Sequence, residues 1–180
     1  MIVLILGTPD SGKSKKAEDR IIELSGGMGM LYIATMIPYG KEGKERVLRH
    51  RKMRDGKGFT TIECPTNVDK LISEIDDLKE KSLLLECMSN LAGNEMHEEN
   101  KANWDLSKLS DEIVSEVMAL GEKCKHLVIV SNYFSEDDEG YDEDTIRYVK
   151  LVNKVNRLLK EKAGEIHELT EGEWKVIENH

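Results

Sequence analysis

One junction near the start of the chain constrains the fold more than any other feature. Residues 2–6 read Ile-Val-Leu-Ile-Leu and run straight into Gly7-Thr8-Pro9-Asp10-Ser11-Gly12-Lys13-Ser14. A helical pattern carrying Ala17, Ile21, Ile22 and Leu24 follows at once. An aliphatic strand, a G-x-x-x-x-G-K-S turn and a helix, in that order, form a phosphate-binding loop. Its glycines let the backbone fold N–H groups around an anion at the positive end of the following helix. Lys13 is then placed to reach the outer phosphates of a nucleotide, and the Ser14 hydroxyl to ligate Mg²⁺. Asp10 either handles a hydroxyl proton or shapes the turn.

Such a strand needs parallel neighbours. Strand-like runs at 30–35, 60–63, 82–86, 126–131, 165–169 and 174–177 alternate with helical patterns at 13–24, 42–54, 67–79, 107–123 and 142–162. The runs at 2–6, 82–86 and 126–131 are nearly continuous aliphatic stretches, as strands covered on both faces are. This alternation predicts an α/β fold, a doubly wound and mainly parallel sheet with helices on both faces, in one domain over residues 1–180. Two stretches read as irregular: a polar loop at 92–104, and residues 136–144, which hold seven carboxylates in nine positions. The acidic stretch lacks the ligand spacing of an EF-hand. It reads as a solvated loop whose last acids open a helix, where the dipole favours negative charge.

Charge is sorted along the chain. Residues 1–40 sum to zero, residues 41–57 to +5 and the remainder to −14, for a net −9. That total argues against a general nucleic-acid binder, which needs a basic surface to release counterions. No apolar stretch approaches the roughly 20 residues of a membrane span, and the opening run lacks the flank of a signal peptide. Cys64, Cys87 and Cys124 are widely spaced, with no CxxC pair, and read as reduced thiols of a cytoplasmic protein. His97, His126 and His167 show no partner at metal-ligand spacing.

The basic island is the anomaly. Within it Arg46, His50 and Arg54 fall at i, i+4 and i+8, one face of a helix, with Arg51 beside them. Such a face is either a solvated helix surface or, beside a phosphate-binding loop, a set of arginines that bind phosphate oxygens in bidentate fashion, and the loop favours the second. A neutral imidazole among them is a nucleophile suited to attack on phosphorus. Glu86 adds a carboxylate at the end of the aliphatic run 82–86, where an open α/β sheet holds a metal or its waters.

These elements, in order, resemble a known family. They are residues 7–14; Tyr32-Ile33-Ala34-Thr35; Arg46-Val47-Leu48-Arg49-His50-Arg51-Lys52-Met53-Arg54; Thr61-Ile62-Glu63; Leu84-Leu85-Glu86-Cys87; and Val130-Ser131-Asn132. The chain resembles the bifunctional adenosylcobinamide kinase/adenosylcobinamide-phosphate guanylyltransferase family of cobalamin biosynthesis. The arginine-rich element with its histidine is far more specific than the phosphate loop. The resemblance implies a RecA-like P-loop fold, Mg²⁺ as cofactor, GTP and/or ATP as substrates with adenosylcobinamide, and a homotrimer. It implies transfer of a γ-phosphate to the aminopropanol hydroxyl, then attack of His50 on the α-phosphate of GTP and passage of GMP to adenosylcobinamide phosphate. The family's nucleotide contacts map to Gly7, Thr8, Pro9, Asp10, Ser11, Gly12, Lys13, Ser14, Ala34, Thr35, Met36, Arg51, Lys52, Met53, Arg54, Glu63 and Glu86. Of these, Ser14 and Glu86 fall to the metal and Lys13 joins His50 in catalysis.

Two departures stand out. Tyr133-Phe134-Ser135 and the acidic run replace the family's usual Glu-Val-Gly and Gly-Ile-Val-Pro stretch. Asp55-Gly56-Lys57-Gly58-Phe59 replaces a shorter Pro-containing turn and a Trp, with Phe59 in the aromatic position. Without the resemblance, the residues also fit a small P-loop kinase of another alcohol, with 46–54 as a phosphate-clamping lid, or a nucleotide-binding regulator without catalysis.

Overall fold

The three aliphatic runs become the middle of a sheet. In the computed structural model, which describes residues 1–136 and 139–179 apart from the Met53 side chain, they are β1 (Ile2–Gly7), β4 (Ser82–Glu86) and β5 (His126–Asn132). They lie side by side as β4-β5-β1, with β2 (Met30–Ala34) and β3 (Phe59–Glu63) beyond β4. On the other flank lie β6 (Glu165–Thr170) and β7 (Glu173–Glu178). Every pairing is parallel except that of β6 with β7.

Both faces of the centre are buried. Helix α1 (Lys13–Ser25) covers one, its Ala17 and Ile21 clustering with Val3, Ile5, Val128 and Val130. The other is covered by α4 (Met88–Met96), α5 (Leu106–Lys123) and α6 (Glu143–Lys162). There Leu91, Ile113, Val117 and Val152 cluster with Leu4, Leu6, Leu85 and Ile129. The mainly parallel α/β sheet expected from the alternation is the one that forms. Helix α2 (Gly40–Arg54) sits apart, its basic side chains largely exposed.

Two stretches fold otherwise than their patterns suggest. The helical pattern at 67–79 breaks into a 3₁₀ turn at Val68–Lys70, a single α turn, α3 (Leu71–Glu74), and a second 3₁₀ turn at Leu78–Glu80. Asn67 and Asp77, at φ 50° and 52°, take left-handed conformations that these residue types tolerate, and they bracket the interruption. The polar loop at 92–104 is in part helix, since α4 runs to Met96. Its stripe of Met88, Leu91, Ala92 and Met96 is broken by buried Ser89 and Glu95, which hid the period.

The acidic stretch behaves as expected where it is described. Asp142 caps α6 by accepting from the Thr145 N–H at 2.7 Å, and Glu143 and Asp144 occupy the first turn. Asp137 and Asp138 lie outside the described residues. His97 and His167, without evident partners in the sequence, pair with Asp144 and Glu165.

A charged cluster lies under the segment after α4. Lys101, 4% exposed, bonds to Glu95, 0% exposed, and lies 3.5 Å from Glu116. Glu95 also accepts from the Asn67 N–H at 2.6 Å, while neighbouring Asn94 donates to the carbonyls of Thr35 and Pro65. The cluster therefore ties α4 to the carboxyl edge of β2. Burial, with Glu95 adding, pushes the Glu116 carboxyl up to about 7 against the pull of Lys101. Lys101→Ala leaves both carboxylates without their cation and is expected to cost about 3 kcal/mol in denaturant unfolding. The loss is expected to be larger at pH 8.5 than at pH 6, because the variant folds only by taking up protons.

Candidate functional site

The parallel register decides which residues meet. Gly7 lies opposite Asn132, and Glu86 opposite both Val130 and Ala34. The ends of β1, β5, β4 and β2 therefore form one edge, where ligands of open α/β sheets bind.

At that edge the chain turns from β1 into α1. A Cβ on Gly7 would stand 2.9 Å from Ser11 Oγ and 3.2 Å from Leu169 Cβ, so any larger residue would crowd the loop against the strand. Gly12 caps α1 at φ 83°, a conformation that glycine adopts freely. No side chain caps the helix and no acid lies in its first turn, which leaves its positive end open to an anion. Lys13 folds back to the Thr8 carbonyl and to Ser11 Oγ at 3.4 Å. Burial lowers the pKa of its ammonium, while Cys87, Glu86 and Asp10 oppose the shift. Asp10, at φ 56° and exposed, borders the phosphate cleft.

Two clefts open along the edge. The first, about 1000 Å³, is floored by the phosphate loop and walled by Arg46, Arg49, His50 and Asn132. The second, about 620 Å³, lies between α2 and the ends of β2 and β3, and is lined by Tyr32, Met36, Arg54, Thr61 and Glu63. Arg46, His50, Glu86 and Cys87 border both. These four form the wall between a cradle for phosphates and a half-apolar pocket.

Helix α2 reaches this wall because its C-terminal end is anchored. The Arg54 guanidinium lies 3.3 Å over the Tyr32 ring, its Nε buried without a partner among the described residues. Arg51 bonds to Glu63 at 2.7 Å, and Lys57 pairs with buried Glu18 of α1. Phe59 meets Tyr32 edge to face at 6.5 Å. With that end fixed, His50 Nδ1 stands 4.0 Å from Glu86 Oε1. Burial, with Glu86 adding, raises the Tyr32 phenol, and burial raises the Cys87 thiol.

Glu86 is the pivot. One oxygen takes the Ser14 hydroxyl, and the other, Oε2, is buried without a partner among the described residues. A hydroxyl and an unsatisfied carboxylate oxygen beside a phosphate cradle are groups able to ligate a hard divalent cation such as Mg²⁺. The described residues hold no group of three His, Cys, Asp or Glu able to bind a metal alone.

Most residues expected at the site converge on it. Three do not. Thr35 is fully buried, and its hydroxyl clamps β2 to β4 by donating to the Cys87 carbonyl and accepting from the Cys87 N–H, both at 2.8 Å. Lys52 is exposed and borders neither cleft. The Met53 side chain lies outside the described residues. The structure adds Tyr32, Asn90 and Asn132. Asn132, like Glu86, closes an aliphatic run, a signal that was present in the sequence. Tyr32 stood in the sequence only as part of a motif, because its contact depends on Arg54 arriving over the ring.

A family model described as cobinamide kinase / cobinamide phosphate guanyltransferase matches residues 3–176. No curated protein sequence matches the chain significantly. Among solved structures, the ATPase domain of G40P is similar at 14% identity and a TM-score of 0.55, over 94% of this chain and 69% of that one. That likeness shows the fold, a P-loop α/β sheet of the RecA-like type. The flagellar accessory protein FlaH from Methanocaldococcus jannaschii matches at 13% identity and a TM-score of 0.48, over 97% of this chain and 75% of that one. No helix among the described residues is long and apolar enough to cross a membrane.

Lys13→Ala removes the cation of the phosphate cradle. Calorimetric titration is expected to show nucleoside triphosphate bound at least ~10-fold more weakly, as loss of a charged hydrogen bond implies.

Proposed function

The chain belongs to the cobinamide kinase / cobinamide phosphate guanyltransferase family, and from that premise we propose that one nucleotide site serves both reactions, with His50 as the guanylyl acceptor. The observation that carries this reading is the position of His50 on the wall between the two clefts, 4.0 Å from Glu86. A nucleotide with its outer phosphates on the loop and its base beside Tyr32 and Arg54 crosses that wall at its α-phosphate.

In the kinase reaction the loop N–H groups and Lys13 hold the β- and γ-phosphates while a substrate hydroxyl takes the γ-phosphoryl group. In the guanylyl reaction Nδ1 of His50, turned toward Glu86, leaves Nε2 to attack the α-phosphorus. The new N–P bond forms as the bond to the bridging oxygen breaks, and pyrophosphate leaves. Arg46 and Lys13 neutralise charge on the phosphates as they separate. A phosphate oxygen of the corrinoid acceptor then attacks the same phosphorus, which frees the imidazole and completes GMP transfer. Ser14 and Glu86 would hold Mg²⁺, which when bound supplies charge neutralisation along the polyphosphate.

The reading is tested with GTP labelled at the α-phosphate. The expected result is acid-labile label on the protein, lost in His50→Ala, while γ-phosphate transfer to cobinamide survives in that variant. Equal labelling of His50→Ala would overturn it. Transfer of γ-phosphate with no labelled protein at all would reduce the activity to that of a kinase alone.

A further inference from the structure

Asn132 ends β5, the strand between the phosphate-loop strand and the Glu86 strand. Its register partner on β1 is Gly7, while Val130, two residues earlier, pairs with Glu86 on β4. Side chains alternate along a strand, and Val128 and Val130 pack on the α1 face, so Asn132 is directed to that face as well. It borders the phosphate cleft together with Lys13, His50 and Glu86.

The amide is tied to α4. Asn132 Nδ2 donates to Ser89 Oγ at 2.7 Å. Ser89, 2% exposed, is the second residue of α4, and its Oγ lies 3.1 Å from Cys87 Sγ. With its nitrogen on Ser89, the amide presents its carbonyl Oδ1 on the opposite side. Among the described residues Oδ1 accepts no hydrogen bond. A carbonyl beside a polyphosphate cradle cannot bind phosphate oxygens, because both are acceptors. It requires a donor, and the donor that γ-phosphoryl transfer brings there is the hydroxyl of the alcohol substrate.

We propose that Asn132 Oδ1 accepts the hydrogen bond of the attacking hydroxyl and aligns its oxygen on the γ-phosphorus, with Ser89 as the residue that positions the amide. The inference rests on the assignment of the phosphate cleft given above. In this step the hydroxyl oxygen bonds to the γ-phosphorus and the bond to the β-bridging oxygen breaks. The nucleoside diphosphate leaves and the hydroxyl proton passes to solvent. Guanylyl transfer uses an imidazole nitrogen and then a phosphate oxygen as nucleophiles, and brings no attacking hydroxyl to Asn132. The residue therefore divides the two activities.

The test uses Asn132→Ala and Ser89→Ala in the full chain, each confirmed folded by its thermal transition. Single-turnover transfer of γ-label to cobinamide and of α-label from GTP to the protein are measured on the same preparations. For Asn132→Ala, γ-transfer is expected to slow about 100-fold more than protein labelling, the loss that follows from ~1 Å misplacement of a nucleophile. Ser89→Ala is expected to slow γ-transfer about 10-fold through kcat, with KM for the nucleotide within about 2-fold. Proportional loss of both rates in Asn132→Ala would mark a structural role and overturn the proposal, as would γ-transfer within about 3-fold of wild type. If Asn132→Ala does not fold, Asn132→Ser is read against the same two rates. Absence of label on the wild-type protein would sink the guanylyl assignment of His50, while the γ-transfer rate of Asn132→Ala against wild type, lost about 100-fold or kept within about 3-fold, still decides the role of Asn132.

Discussion

A parallel ladder aligns the carboxyl ends of its strands, and in β4-β5-β1 that alignment is what the site depends on. Three aliphatic runs, each buried on both faces, lock their register through the hydrophobic clusters on either side. The residues that follow those runs then arrive together: Glu86, Asn132 and the glycine that opens the phosphate loop. A slip of one residue in β4 would turn Glu86 toward the opposite face and away from Ser14. The catalytic edge is therefore set by core packing as much as by the loop itself.

Electrostatics supplies the second half of the site from a different source. Helix α2 has little apolar surface to bury, and it is held at its C-terminal end by Arg54 on Tyr32, Arg51 on Glu63 and Lys57 on Glu18. Its cations face a cradle whose own positive groups are an uncapped helix end and one buried lysine. Such a gathering of positive charge is unfavourable until a polyphosphate enters, which makes the anion part of the design. The −9 of the whole chain says little about this. The local +5 says more.

Much of this was legible in the sequence, and the reasons differ by element. The phosphate loop was legible because its chemistry is local: glycines, lysine and serine act through backbone geometry that neighbouring residues fix. Glu86 was legible because a carboxylate at the end of an aliphatic run has few structural uses. The break in 67–79 was not, since it depends on left-handed turns at Asn67 and Asp77 that compete with an apparent helical stripe. Helix α4 was missed because Ser89 and Glu95 occupy buried positions that an amphipathic pattern reserves for apolar groups. Thr35 and Lys52 were placed at the site by motif alone: the Thr35 hydroxyl is engaged with the Cys87 backbone, and Lys52 is exposed and borders neither cleft.

The claim that joins these parts is geometric: one bound GTP spans both clefts and places its α-phosphorus at His50. A crystal structure with a non-hydrolysable GTP analogue and Mg²⁺ measures it directly. The account predicts the outer phosphates on residues 7–14, the base beside Tyr32 and Arg54, and the α-phosphorus within about 3.5 Å of His50 Nε2. A base bound away from that pocket, or an α-phosphorus beyond reach of His50, would contradict it.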